Sequence, residues 1–357
     1  MAETTGRLAD HTTLRLGGPA RTWVRATTDE ELVAAVSEAD AAGEPVLVLG
    51  GGSNLVVADE GFAGTVVEVA TTGVTADVDA TDDPTCGGAV VTVAAGEGWD
   101  DLVARAVASG WVGVEALSGI PGSVGATPIQ NVGAYGQEVS QTLASVRVWD
   151  RKLRGVRTFA AADCGFGYRT SRFKVDRYDA YGGRHLVLSV TFQLRQGDLG
   201  APVAYAELAR TLGIEPGGRA PLADVRAAVL GLRSGKGMVL DPADHDTWSA
   251  GSFFTNPIVP ATDVPDGAPT WPVAGEDGLV KTSAAWLIEH AGFGKGYGLD
   301  RGAGRVALSS KHTLAVTNRG GAATEDLLAL AREVRDGVAA SYGITLVNEP
   351  VLVGCEL

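Results

Sequence analysis

Cysteine is nearly absent from this chain: Cys86, Cys164 and Cys355 are the three in 357 residues, far apart and odd in number. They define no disulfide framework and point to a reducing compartment, so the cytoplasm is the expected location. Histidine is almost as scarce, at five, and neither Cys-x-x-Cys nor His-x-x-x-His spacing occurs, so no structural zinc site is expected. No apolar run reaches the roughly 18 residues of a membrane span. The start, Met1-Ala2-Glu3-Thr4-Thr5-Gly6-Arg7, lacks the apolar core of a signal peptide. Excess positive charge is missing too: 29 Lys and Arg stand against 43 Asp and Glu, a formal charge of −14. That balance argues against nucleic acid or an anionic membrane as main partner, but a small anionic ligand needs only a local cluster of cations. What remains is ordinary for a globular protein, with 45% hydrophobic and 20% charged residues. The length suits two domains and buries enough surface without metal or disulfide staples.

The pattern along the chain predicts a helix over 29–42, because Thr28 and Glu31 have capping-box spacing and Leu32, Val33, Val36 and Ala39 form a stripe. A buried strand is expected over 45–49, further strands over 65–70, 89–95, 146–149 and 186–194, and a second helix over 99–109. Residues 71–88 are acidic and rich in Gly and Thr, and read as an exposed loop or hairpin tip. Beyond about residue 200 the texture turns helical, over 204–212, 222–232, 283–291 and 324–342, with short strands over 313–317 and 344–347 and a Pro/Asp-rich loop over 258–278. A domain boundary is therefore expected near 200.

Three segments stand apart. Leu49-Gly50-Gly51-Gly52-Ser53-Asn54 follows a strand, as a Rossmann fingerprint would, but Leu55-Val56-Val57 reads as strand where that motif requires a helix. Consecutive backbone N–H groups between two strands can still bind phosphate as a nest. The second segment, Ile120-Pro121-Gly122-Ser123-Val124-Gly125-Ala126-Thr127-Pro128-Ile129-Gln130-Asn131-Val132-Gly133-Ala134-Tyr135-Gly136, gathers small residues, hydroxyls and two adjacent amides. Ser123 and Thr127 can donate to a phosphate, and Gln130 and Asn131 to the edge of a heterocycle. A plain surface loop is the bland alternative, although long loops in compact domains are usually functional. The third, Gly251-Ser252-Phe253-Phe254-Thr255-Asn256-Pro257, sets a hydroxyl between a permissive glycine and two apolar rings. A dry wall beside a proton donor strengthens its bond to developing charge, while a turn hydroxyl bonded to its own backbone is the rival reading.

Together these segments resemble the UDP-N-acetylenolpyruvoylglucosamine reductase family. The resemblance runs from Thr12-Thr13-Leu14-Arg15-Leu16-Gly17-Gly18-Pro19-Ala20 to Asn348-Glu349-Pro350 and includes Gly167-Tyr168-Arg169-Thr170-Ser171, in the family's order and spacing. It implies an α+β chain: an FAD-binding domain of the vanillyl-alcohol-oxidase type in two subdomains over 1–200, then a substrate-binding α+β domain over 201–357. The resemblance also has the extreme C-terminal strand returning to the FAD domain. It further implies non-covalent FAD, NADPH as reductant and UDP-N-acetylglucosamine enolpyruvate as substrate, in peptidoglycan synthesis, with a monomer favoured.

The reaction implied has two halves: reduction of FAD by NADPH, and hydride delivery to the terminal carbon of the enolpyruvyl group. By resemblance, Ser252 protonates the α carbon, Arg169 grips the carboxylate or enolate with its planar fork, and Glu349 polarises the enolate. Here Asn348-Glu349-Pro350 departs from the family's common Pro-Glu-Val order, while Glu349 keeps its offset from Gly354. FAD contacts are implied for Gly50, Gly51, Gly52, Ser53 and Asn54, and for Pro121, Gly122, Ser123, Gly125, Thr127, Gln130, Asn131, Gly133 and Tyr135. Substrate contacts are implied for Tyr205, which marks the subgroup with a mobile substrate loop, and for Lys236, Asn256, Lys295 and His312, the last beside Lys311. Two rivals stand beside this reading: another FAD oxidoreductase of the same fold, which would need a base rather than a proton donor, and a sugar-nucleotide sensor, which would need to have lost a catalytic group.

Overall fold

The computed structural model describes residues 6–78, 88–273 and 275–357. Contacts divide the chain into two compact units, one built from Ala20–Gly51 and Ala63–Ser234, the other from Gly6–Pro19, Gly52–Phe62 and Gly235–Leu357.

The first unit contains two sheets. The smaller has three strands in the order Ala20–Ala26, Phe62–Val69, Val46–Leu49, the last two parallel. The helix Asp29–Ala41 covers it with Leu32, Val36 and Ala39, which join Ala26, Val46 and Val67 in one core. Its start is capped as the spacing predicts, with one shift: the Thr28 hydroxyl accepts from the Glu31 N–H at 3.1 Å, but the Glu31 carboxylate reaches back to the N–H and hydroxyl of Thr27. The larger sheet is antiparallel, in the order Gly155–Ala160, Leu143–Asp150, His185–Gln196, Gly88–Ala94, Val74–Val78, with Trp111–Val112 added against the central strand. The helix Trp99–Ala108 lays Trp99, Leu102, Val103 and Ala106 into its core. The Trp99 indole N–H donates to the Leu117 carbonyl at 3.1 Å, which satisfies the one polar atom of that buried ring. Val74–Val78 turns part of the expected 71–88 loop into an edge strand; residues 79–87, including Cys86, lie outside the described residues. Cys164 is buried, and burial pushes its thiol up to about 11.

A satellite cluster of Ala116, Val203, Leu208, Ala209, Val225 and Val229 belongs to the same unit and fastens the helices Ala206–Leu212 and Leu222–Gly235. Compactness therefore cuts the chain at Ser234/Gly235 and sends two earlier segments to the second unit.

The second unit is organised by the 19-residue helix Thr324–Tyr342, whose buried Leu327, Leu328, Ala331, Val334 and Val338 pack with Leu287 and Ile288 of the helix Ala284–His290 and with Phe253 and Phe254. The Asp59 carboxylate accepts from the Thr324 N–H at the start of the long helix, where the helix dipole favours negative charge. The strand Val351–Val353 pairs parallel with Leu55–Val57, immediately after the first glycine turn. Two expectations fail here. Residues 344–347 form no strand, since their backbone lies as coil leading to a single bridge, Phe254 to Asn348. The expected 258–278 loop instead carries the strands Ile258–Pro260 and Thr270–Pro272, which flank Leu279–Thr282. Three-residue strands punctuated by proline are too short to show a period of two.

Candidate active site

In the first unit the two glycine segments meet. A Cβ on Gly50 would lie 2.5 Å from the Ser123 Oγ, and one on Gly51 would lie 2.6 Å from the Gly122 Cα, so the two main chains touch only because both residues lack a side chain. Three bonds hold the second segment: Trp99 N–H to the Gly122 carbonyl, Val124 N–H to Glu97, and Gly125 N–H to Ala95, at 3.0, 2.8 and 2.8 Å. Gly125 has no room for a Cβ either, with the Ala95 Cβ at 2.6 Å. Among the described residues, the N–H groups of Gly50, Gly51, Gly122 and Ser123 donate no backbone hydrogen bond. Bare adjacent amides between tight loops suit the diphosphate of a dinucleotide, so the residues present fit FAD. Pro121 sits in the same turn.

Beyond that turn the second segment is tied internally. The Thr127 hydroxyl donates to the Val124 carbonyl at 2.8 Å, and the Gln130 Oε1 accepts from Lys174 Nζ at 2.7 Å. Asn131 is 1% exposed, and both hydrogens of its amide are used, toward Glu138 and the Gly167 carbonyl. Its amide therefore has no donor left for a heterocycle edge. Gly133 and Ala134 pair with Glu138 and Gln137 in a two-stranded ribbon, and Tyr135 at its turn has φ +49°. The Tyr205 ring stands edge-on to Tyr135, with centroids 5.4 Å apart, and is half exposed just before the helix Ala206–Leu212. Arg169 belongs to the same unit. It sits at φ +53° in the tight 167–170 hairpin, and its guanidinium donates to the carbonyls of Gly133 at 2.9 Å and Asn131 at 3.4 Å.

The second unit brings together three segments far apart in sequence. Phe253 N–H donates to the Leu314 carbonyl at 2.7 Å, Glu349 N–H to Phe253 at 2.8 Å, and Thr255 N–H to Val347 at 3.0 Å. Asn54 joins them: its side-chain amide donates to the Glu349 carbonyl at 3.4 Å, and its own carbonyl accepts from Val351. Gly52 accepts from Thr13 N–H, and Ser53 lies between these two anchored residues. Ser252 follows Gly251, whose φ of +72° favours glycine, and precedes Phe253 and Phe254, both buried with rings 5.1 Å apart. The Ser252 hydroxyl makes no hydrogen bond among the described residues, so it does not serve its own turn. The Asn256 Oδ1 accepts from Ala284 N–H at 3.0 Å and so fixes the start of the helix Ala284–His290.

Comparison with known proteins fits this arrangement. A family model described as an FAD binding domain matches residues 20–155, and one for the UDP-N-acetylenolpyruvoylglucosamine reductase C-terminal domain matches 241–353. The UDP-N-acetylenolpyruvoylglucosamine reductase of Cutibacterium acnes is 58% identical over 350 residues, covering 98% of this chain and 90% of the relative. The chain belongs to the UDP-N-acetylenolpyruvoylglucosamine reductase family. The Streptomyces avermitilis reductase of that name is 57% identical over 363 residues, covering 98% of this chain and 94% of its own. The crystal structure of the Thermus caldophilus reductase superposes with a TM-score of 0.64 at 26% identity, covering 99% of each chain. The fold is accordingly that of this reductase family: an FAD-binding domain and a C-terminal α+β domain. The chain is an oxidoreductase.

The remaining cations differ in setting. Lys236 is half-buried just past the helix Leu222–Gly235, Lys295 is exposed between Gly294 and Gly296, and His312 is half-buried in a turn closed by the Ala315 N–H on its carbonyl. Lys311 is committed to Asp244 at 2.5 Å, a bond that raises the lysine and lowers the carboxyl. Sequence reasoning missed Asp246, which is buried and accepts from the N–H and hydroxyl of Ser310 and from Arg319 at 2.6 Å. It organises the turn bearing Lys311 and His312; an aspartate in an acidic stretch gives no sign of this.

Burial raises the Asp246 carboxyl, but the bonds from Ser310 and the charge of Arg319 outweigh burial and hold it below the usual range. A lowered folded-state pKa contributes stability that is complete above about pH 4, the unfolded value, and is lost as pH falls through the folded value. Replacing Asp246 by Asn leaves Arg319 facing a neutral amide. We expect a loss of about 3 kcal/mol at pH 7 and a shallower acid limb in thermal melts across pH 3–7. An acid limb identical to that of the parent would refute this account.

Proposed function

We propose that this member of the reductase family reduces the enolpyruvyl group of UDP-N-acetylglucosamine enolpyruvate with NADPH, giving UDP-N-acetylmuramate for peptidoglycan synthesis. Held along the two glycine turns, FAD would supply the hydride chemistry that links oxidation of NADPH to reduction of the terminal carbon of the substrate. Gly50, Gly51, Gly122 and Ser123 offer backbone amides to its diphosphate, while Gly52, Ser53, Asn54, Pro121, Gly125, Thr127, Gln130, Asn131, Gly133 and Tyr135 shape the surrounding walls. Hydride addition leaves negative charge spread from the α carbon onto the carboxylate. Arg169 holds that carboxylate with its planar fork. Glu349 polarises the enolate, a task that needs a proton on or shared with its carboxyl. Ser252 delivers its hydroxyl proton to the α carbon, and Phe253 and Phe254 keep water from competing. Tyr205, Lys236, Asn256, Lys295 and His312 contact the uridine diphosphate and sugar.

The observation that carries this reading is the pairing of Ser252, whose hydroxyl makes no hydrogen bond among the described residues, with Glu349, whose backbone is hydrogen-bonded to the next residue along. The substrate is assigned to residues 201–357 and the cofactor to 1–200, with the protein working as a monomer in the cytoplasm. The sparse, widely spaced and odd-numbered cysteines support that compartment.

Purified FAD-bound protein is expected to oxidise NADPH only when UDP-N-acetylglucosamine enolpyruvate is supplied, with UDP-N-acetylmuramate as product by mass spectrometry. Oxygen-linked turnover of a sugar or alcohol would replace this reading with that of an oxidase. Flavin that NADPH reduces but substrate never reoxidises would replace it with that of a sensor.

A further inference from the structure

Arg169 is aimed by main-chain carbonyls, and one buried side chain governs them. The Asn131 amide donates to the Gly167 carbonyl at 3.1 Å, at the base of the hairpin that carries Arg169. The carbonyl of Asn131 itself, with that of Gly133 two residues on, receives the guanidinium. One side chain thus ties the segment that presents Arg169 to the segment that accepts it.

The orientation of that amide is set by Glu138. Its Oε2 accepts from Asn131 Nδ2 at 2.9 Å, while Asn131 Oδ1 accepts from Ser140 N–H at 3.2 Å. A carboxylate offers only acceptors to such a partner, so the amide cannot flip without losing both bonds. Glu138 is also the register partner of Gly133. A Cβ on Gly133 would lie 2.8 Å from Glu138 Cγ and 3.3 Å from Arg169 Nη1, so residue 133 is flanked by the stem of one and the head of the other. Asn131 sits at φ +44°, a conformation that side-chain bonding of this kind sustains.

We propose that Glu138 is a positioning residue for Arg169: by holding the Asn131 amide it sets the carbonyls that aim the guanidinium at the substrate carboxylate. This rests on the reading of Arg169 as the carboxylate grip.

The test uses the FAD-bound enzyme with Glu138→Ala, Glu138→Gln and Arg169→Lys, and measures the two half-reactions separately by stopped flow. Misplacing a group by about 1 Å costs up to about 100-fold, so Glu138→Ala is expected to slow flavin reoxidation by substrate about 10–100-fold. Reduction by NADPH should stay within about twofold, since Arg169 has no carboxylate to grip in that half. Glu138→Gln keeps an acceptor oxygen and should recover most of the loss. Calorimetry supplies an independent readout: Glu138→Ala should weaken binding of UDP-N-acetylmuramate, which carries the carboxylate, by about tenfold, and leave UDP binding unchanged. If Arg169→Lys leaves reoxidation untouched, the parent reading of Arg169 fails and this inference with it. If Arg169→Lys slows reoxidation and Glu138→Ala does not, the positioning role alone is overturned. Equal loss of both half-reactions in Glu138→Ala, or no recovery in Glu138→Gln, overturns it as well.

Discussion

Replacing Ser252 by Ala is expected to leave NADPH reduction of the flavin intact and to slow its reoxidation by substrate by ~10²–10⁴, the usual contribution of a positioned general acid. The selectivity of the loss follows from where Ser252 sits. Its backbone neighbours are fixed by Leu314, Val347 and Glu349, and its hydroxyl supports none of those bonds. Removing one oxygen therefore takes away a proton without loosening the Phe253–Phe254 core. Equal impairment of both half-reactions would count against Ser252 as the donor and would point to a general binding defect.

The second large effect is expected at Gly51. An alanine there would drive its Cβ to 2.6 Å from Gly122 Cα and 3.0 Å from the Gly122 carbonyl carbon. Those are backbone atoms in a segment pinned by Trp99, Val124 and Gly125, so they cannot rotate out of the way. The two turns must separate, at an overpacking cost of about 1–3 kcal/mol, or roughly 5–150-fold in affinity for FAD. Flavin content after purification and fluorescence titration with FAD would measure it. Gly155→Ala is the control, since its nearest neighbour would lie at 3.9 Å. Full FAD occupancy and unchanged affinity in Gly51→Ala would remove the two turns as the diphosphate cradle.

The legible parts of the fold were those with local causes. Thr28 and Glu31 mark the start of the Asp29–Ala41 helix because capping bonds span three residues, and Trp99, Leu102, Val103 and Ala106 mark the next helix because its stripe repeats within ten. The strand after the glycine turn was readable from Leu55-Val56-Val57, and that reading removed a Rossmann site. The Thr270–Pro272 strand was not readable, because its reason to exist is Leu279–Thr282, a partner outside any short window.

At the site the division is sharper. Residue types in order carried the family, the FAD-binding expectation and the identity of Ser252, Arg169 and Glu349 as chemically able groups. Tertiary structure alone decided what each is free to do. Asn131 looks in sequence like an amide for reading a heterocycle, yet its hydrogens go to Glu138 and to Gly167, 36 residues on. Lys311 stands beside His312, where the resemblance implies a polar substrate contact, yet Asp244 holds it across 67 residues. Ser252 looks like any turn hydroxyl, yet among the described residues it makes no hydrogen bond and lies beside a buried aromatic pair. Sequence determines which donors and acceptors exist and which local elements form. Hydrogen-bond satisfaction is a property of the whole packed chain, so only the fold decides which of those groups are spent on structure and which remain for substrate.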